Sequence, residues 1–284
     1  MRCRIVLEPY GGLANRMRAL NSGIWLSGVL QRDLDVIWNV DATLNCPFDE
    51  LFEPLAHVTI VKPRPLLHHL RPTGRVGVSR RLLRTLLSAP LTLRYRCLED
   101  ADVRRLETGV SDGSEFAESG RTLYFRTCEV FGAGDRGFAR FVPTRELRRK
   151  IDARCVSFTT NTIGVHIRRT DNSVSINQSP TGLFVERIED ELARNADVNV
   201  FLSTDDANVE ELLKSLFGDK ILAFEKEYSR DSSDGIKDAV VDMYCLANTS
   251  RIYGSYWSSF TDVAAEINGI RLEKPRIGVA PEPR

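Results

Sequence analysis

Residues 163–173, IGVHIRRTDNS, decide how the chain is read. The first half is apolar and β-branched, as a buried strand is. It then ends in His166, Arg168, Arg169 and Asp171. Strand alternation points His166 and Arg168 to one side and Arg169 to the other. Adjacent guanidinium groups suit phosphate, because each stays charged and donates in a plane to two oxygens. For one of the two, a structural ion pair with a neighbouring carboxylate is the alternative reading.

Outward from this strand the chain alternates. Downstream, strands are predicted at 162–167, 198–203, 220–224 and 251–254, with helices near 181–194, 207–217, 235–247 and 259–268. Upstream, CRIVLEP (3–9) reads as a strand, YGGLAN as a glycine turn and 13–32 as a helix, with Leu13, Met17, Leu20 and Ile24 spaced four, three and four apart. Further strands are predicted at 34–38, 58–61 and 122–126, with helices at 80–87 and at 143–155, where Pro143 stands near the start. The polar SFTTNT (157–162) reads as a linker. Strands alternating with helices predict an α/β fold with parallel sheets and right-handed crossovers. The expected organisation is two Rossmann-like domains, 1–156 and 157–284, facing each other across a cleft, with the last residues returning to pack on the first domain. In such sheets ligands sit at the carboxyl ends of the strands, where the polar segments of this chain fall.

Bulk properties narrow the function classes. With 284 residues the chain has room for a core that needs no staples. Its 39 basic and 39 acidic residues give a formal net charge of zero, so nothing in the charge points to a general nucleic-acid binder. The stretch from Pro54 to Leu98 nevertheless holds no Asp or Glu, while Lys62, Arg64, Arg71, Arg75, Arg80, Arg81, Arg84, Arg94 and Arg96 lie in it. It reads either as a solvated face or as a surface for a peripheral membrane or an anionic acceptor. Six cysteines are scattered without a CxxC pair or histidines at metal-ligand spacing, so they are expected to be reduced, mostly buried thiols. The chain enters a strand at once, with no apolar signal core or membrane-spanning run, and a cytoplasmic setting is expected.

Three more segments could carry chemistry. GGLANR (11–16) puts Gly11 and Gly12 before a helix, either as a tight turn or as backbone donors to a phosphate at the helix N-terminus. It is neither G-x-G-x-x-G nor a Walker loop. FLSTDD (201–206) ends a strand in Asp205 and Asp206, which could hold a metal, although Asp206 is better read as the cap of the next helix. In 238–267, Asp242 falls on the apolar side of a helix, and Ser258 and Ser259 open the last helix as caps or as phosphate donors.

Together, GGLANRMRAL, VIWNVDATLNCPFDELFE (36–53), VHIRRTD (165–171), FLSTDD and SYWSSFTDVAAE resemble the α-1,6- and protein O-fucosyltransferase superfamily. HIRRTD is the most specific of these motifs, and 54–140 matches nothing. The resemblance implies a GT-B-like pair of Rossmann domains. It implies inverting, metal-independent transfer of fucose from GDP-fucose, the donor substrate, to a hydroxyl of a glycan or glycolipid acceptor, with no cofactor. Arg168 is similar to the arginine that holds the β-phosphate, with Arg169 close by. His166 and Asp242 match positions that meet guanosine, and Ser258 and Ser259 match a phosphate-binding pair. Gly11 and Gly12 match the glycine loop closing over the pyrophosphate, and Asn15 and Asp205 complete the expected donor-binding set.

This chain departs from the superfamily pattern in two places. NSVSIN (172–177) lacks the acidic residue that follows the arginine motif in α-1,6-fucosyltransferases, and WSSF lacks a glutamine after the serines. The resemblance therefore assigns no base. Glu8 is the first candidate, with Asp41 and Asp171 behind it; Glu8 could instead pair structurally with Arg16. A transferase using another GDP-sugar and a non-catalytic nucleotide-sugar or glycan-binding module remain the alternative readings.

Overall fold

The structure is a computed structural model and describes residues 3–62, 93–98, 100–109, 111–117, 120–132, 137–170, 173–229 and 231–279. It divides into two compact units, Met1–Phe48 with Pro54–Arg136 and Asp49–Glu53 with Gly137–Arg284. Both are α/β, as expected.

The first unit is built on a five-stranded sheet of β1 (Ile5–Pro9), β2 (Leu34–Val36), β3 (Val58–Ile60), β4 (Tyr95–Cys97) and β5 (Thr122–Thr127), in the order β3-β2-β1-β5-β4. All pairings are parallel. Central parallel strands are covered on both faces, which is why IVLEP is buried throughout and shows no alternation. Helix Leu13–Leu30 follows β1 directly.

The second unit carries β6 (Thr162–Ile167), β7 (Asn199–Thr204), β8 (Ile221–Leu222), β9 (Arg251–Gly254) and β10 (Arg271–Glu273), in the order β10-β9-β6-β7-β8 and again parallel. Ile163, Val165, Ile167, Val200 and Leu202 pack against Phe184, Ile188 and Leu213 of the flanking helices. Strand order reverses between β6 and β9, so this sheet has its topological switch point there. At the end of β9, a Cβ on Gly254 would lie 2.8 Å from Cβ of Thr261. Glycine at that position lets helix Ser259–Asn268 start against the strand end.

The division between the units falls at Arg136/Gly137 rather than at 156/157. Helix Arg145–Cys155 belongs with the second unit because it packs on helix Ser233–Ala247. Arg154 Nη1 lies 2.8 Å from Asp242 Oδ1, Cys155 Sγ lies 3.9 Å from Cys245 Sγ, and the Tyr244 hydroxyl donates to the Phe141 carbonyl. Segment Asp49–Glu53 joins the same unit through the edge-to-face pair Phe52–Phe141 and the 2.7 Å ion pair Lys237–Glu50. The described C-terminal residues are also held within this unit, since β10 pairs with β9 and the Ile277 N–H donates to the Gln178 carbonyl at 2.9 Å. Residues 280–284 lie outside the described residues.

No described helix is long and apolar enough to cross a membrane. All six cysteines are free, but only Cys46 and Cys245 are buried, fewer than expected.

Candidate active site

The arginine motif forms a loop immediately after β6, and its backbone is pinned from both neighbouring strands. On one side the Arg168 N–H donates to Ser255 Oγ at 3.0 Å, and Ser255 follows β9. On the other, Asp205, which follows β7, accepts the Arg169 N–H at 2.6 Å and the Thr170 hydroxyl at 2.7 Å. The loop thus stands at the switch point of the sheet, where open α/β sheets bind ligands.

The two arginines differ in what they do. Arg169 donates from Nη1 to the Arg168 carbonyl at 2.8 Å and from Nη2 to the Ser179 carbonyl at 2.8 Å and Thr181 Oγ1 at 3.0 Å; Nε also reaches Thr181 Oγ1 at 3.2 Å. Burial lowers its pKa, and the carboxylates of Asp205 and Asp206 work in the opposite direction. Arg169 therefore braces the loop through carbonyls and a hydroxyl, a structural role of the kind that the alternative reading gives to one of the two arginines. Arg168 is half-buried at the loop's start. His166 is buried in β6 and stacks on Phe260, with centroids 4.9 Å apart and planes 23° apart. Asp206 caps helix Ala207–Phe217 as expected, accepting the Asn208 N–H at 2.8 Å.

Across the switch point, Ser258 occupies the N-cap of helix Ser259–Asn268 but makes no capping bond. Its Oγ is fully buried and has no hydrogen-bond partner among the described residues. Such a hydroxyl costs about 1–3 kcal/mol and calls for an explanation. Ser259 is half-buried beside it. Of the two readings of this pair, capping by Ser258 is the one that is not made.

Asp242 is enclosed. Its Oδ1 accepts from Arg154 at 2.8 Å, and its Oδ2 accepts from Lys226 at 2.6 Å and from Ser203 Oγ at 2.9 Å. Both cations are buried with it. Sequence reasoning missed Arg154, Lys226 and Ser255 as partners; Ser255 alone had a signal, since it stands in SYWSS beside Ser258.

In the first unit, Gly11 adopts φ +84°, a left-handed conformation that glycine takes without strain. Arg16, fully buried, holds this turn from beneath. It donates from Nε to the Gly11 carbonyl at 2.7 Å, from Nη1 to the Asn39 carbonyl, and from Nη2 to both Asp41 oxygens at 2.9 Å. Gly12 opens helix Leu13–Leu30, with half-buried Asn15 in its first turn.

The carboxylate of Glu8 is 1% exposed and accepts from Tyr124 Oη at 2.7 Å and Asn39 Nδ2 at 2.9 Å, with Arg126 Nε at 3.5 Å. Arg16 is close enough for the Glu8 charge to act on its guanidinium, but the hydrogen bonds of the carboxylate come from Tyr124 and Asn39. A group enclosed in this way is poorly disposed to meet an acceptor hydroxyl. Asp41 keeps 43% of its side chain exposed. Burial pushes its carboxyl pKa up, but hydrogen bonds from Thr43 and the Arg16 guanidinium outweigh that and hold it below the usual carboxylate range.

Asp171 and residues 63–92, which include Arg80 and Arg81, lie outside the described residues. Among the described residues, no group of three or more His, Cys, Asp or Glu side chains is arranged to hold a metal.

No protein-family model and no curated protein sequence matches the chain. Solved structures do match. The fucosyltransferase NodZ from Bradyrhizobium is 21% identical, with a TM-score of 0.58 over 93% of this chain and 93% of its own. A crystal of NodZ α-1,6-fucosyltransferase soaked with GDP-fucose matches at a TM-score of 0.60, with 20% identity over 94% of this chain and 93% of its own. A point mutant of Arabidopsis thaliana FUT1 in complex with GDP matches at 0.64, with 17% identity over 98% of this chain and 72% of its own. POFUT1 in complex with GDP-fucose matches at 0.53, with 12% identity over 97% of this chain and 96% of its own. At these identities the likeness is one of fold, and the chain shares the fold of these fucosyltransferase structures.

Proposed function

We propose that the chain is a glycosyltransferase moving fucose from GDP-fucose to a hydroxyl of a glycan or glycoconjugate, by an inverting, metal-independent displacement. One observation carries the proposal. The HIRRTD loop is bonded to the Ser255–Ser259 turn at a switch point, in a fold shared with proteins whose crystals hold GDP or GDP-fucose.

In this reading Arg168 meets the β-phosphate. Ser258 Oγ and the start of helix Ser259–Asn268 supply further donors, which accounts for a buried hydroxyl left without a protein partner. As the bond from sugar to phosphate breaks, negative charge grows on the leaving oxygen, and a fixed guanidinium stabilises it more in the transition state than in the ground state. Arg169 and Asp205 position Arg168 rather than bind the donor themselves. His166 and Asp242 are proposed to meet the guanosine, Asp242 only once Lys226 has left its Oδ2. Gly11 and Gly12 keep the phosphate-binding role that the resemblance implies, and Asn15 keeps its place in the donor-binding set. With Glu8 enclosed, Asp41 becomes the preferred base among the described residues, and Asp171 keeps its candidacy.

A second reading, a non-catalytic nucleotide-sugar-binding module, draws on the enclosed Glu8 and on the missing acid in 172–177. The acid-free stretch 54–98 stays a proposed contact for an anionic or lipid-linked acceptor. The scattered free cysteines fit a cytoplasmic setting, which is part of the same proposal.

The test is release of GDP from GDP-fucose and GDP-mannose in the presence of EDTA, with and without glycan acceptors. Release from GDP-fucose that depends on Arg168 supports the transferase. Release from GDP-mannose alone points to another donor sugar. GDP binding with no release across the acceptors supports the binding module.

A further inference from the structure

Trp257 is unusual on three counts. It is a bulky residue with a left-handed backbone, φ +59°, which costs a non-glycine residue about 1–2 kcal/mol. It is 67% exposed, whereas Trp38 is buried and Trp25 half-buried. It also directly precedes Ser258, in the turn that is bonded to the arginine loop. A strained backbone that keeps an indole in solvent is a reason to look for a ligand.

The surroundings of the indole fit one class of ligand. The Tyr256 ring lies 5.9 Å from that of Trp257 at 50°, and the Arg276 guanidinium stands 5.0 Å from the Tyr256 ring centre. With Val174 and Gln178 they bound a cavity of about 390 Å³, and small-ligand pockets span about 300–1,000 Å³. Aromatic faces beside a carboxamide and a guanidinium are what a pyranose ring needs. Its C–H face packs on the aromatic surface, while its hydroxyls bond to the planar polar groups.

We propose that Trp257, Tyr256, Gln178 and Arg276 form a subsite for a neutral sugar ring of the acceptor glycan. Its connection to the arginine loop is direct. The Tyr256 N–H donates to Ser179 Oγ at 2.9 Å, that hydroxyl donates to the Pro275 carbonyl, and the Ser179 carbonyl accepts from Arg169 at 2.8 Å. One fully buried serine therefore ties both edges of the subsite to the loop that carries Arg168. The word acceptor rests on the fucosyl-transfer reading; the saccharide site itself does not.

The test uses the full chain with cellotetraose, chitotetraose and maltotetraose, read by shielding of Trp257 fluorescence from acrylamide and by saturation-transfer NMR. At least one tetrasaccharide is expected to shield the indole. Trp257→Ala should weaken binding about tenfold or more, Trp257→Phe less, and both should keep GDP affinity. Arg276→Gln, a change on the opposite wall, should weaken binding independently. No saccharide binding by the wild type, binding unchanged in Trp257→Ala, or shielding by phosphatidylcholine vesicles instead of saccharides would each overturn the subsite. Saccharide binding through Trp257 without GDP binding would keep the subsite and remove the transferase reading. GDP binding without saccharide binding would do the reverse.

Discussion

The carboxylate of Asp205 accepts the backbone N–H of Arg169 at 2.6 Å. It also takes the hydroxyl of Thr170, so the loop carrying Arg168 rests on a charge donated by the neighbouring strand end. Hydrogen bonds to charged groups contribute about 1.5–3 kcal/mol each. Asp205→Ala should therefore weaken GDP binding by about tenfold or more in calorimetric titration, and Asp205→Asn by less. Wild-type affinity in Asp205→Ala would mean that the loop is not the binding element.

The two arginines should separate stability from turnover. Arg169→Ala deprives the Ser179 and Arg168 carbonyls and the Thr181 hydroxyl of their donor, and should cost about 1–3 kcal/mol in denaturant melts. Arg168→Ala should still fold while slowing donor turnover by about 100-fold or more. The opposite pattern would exchange their roles.

Asp242 is a test of buried charge. Removing it leaves Arg154 and Lys226 buried beside each other without their shared carboxylate, and breaking such a pair costs about 3–5 kcal/mol. Asp242→Ala should lose stability on that scale in urea, and an added Lys226→Met should recover part of it. An Asp242→Ala protein as stable as wild type would contradict the enclosure.

The Arg16–Asp41 pair gives a pH dependence. The Asp41 carboxyl is held below its ordinary value, so its contribution is fully present above the unfolded value, about 3.9. It is lost as the pH falls through the lower folded value. Asp41→Asn should thus melt earlier than wild type at neutral pH, and the gap should close in acid. A gap that widened in acid would reverse the sign of the coupling.

The parts of this fold that were legible in the sequence are the central ones. β1, β6 and β7 are covered on both faces, so they appear as apolar runs. β4 and β10 are three-residue strands at sheet edges, reading YRC and RLE, too short and too polar to announce themselves. Helix Arg145–Cys155 was legible as a helix, but its allegiance was not, because that depends on Asp242 and Cys245, far along the chain. The same limit applies to the site. HIRRTD shows its chemistry locally, whereas the enclosure of Glu8 rests on Tyr124, 116 positions further along the sequence. Arg16, the alternative partner for Glu8, makes its ion pair with Asp41 while still lying within the electrostatic reach of Glu8.

The most direct test of the central claim is calorimetric titration of wild type and Arg168→Ala with GDP, GDP-fucose and UDP-glucose, in EDTA. The account predicts that wild type binds GDP and GDP-fucose without a metal and ignores UDP-glucose, and that Arg168→Ala loses both while still folding. Equal binding of GDP by wild type and a folded Arg168→Ala would contradict it, and so would no binding of GDP by wild type.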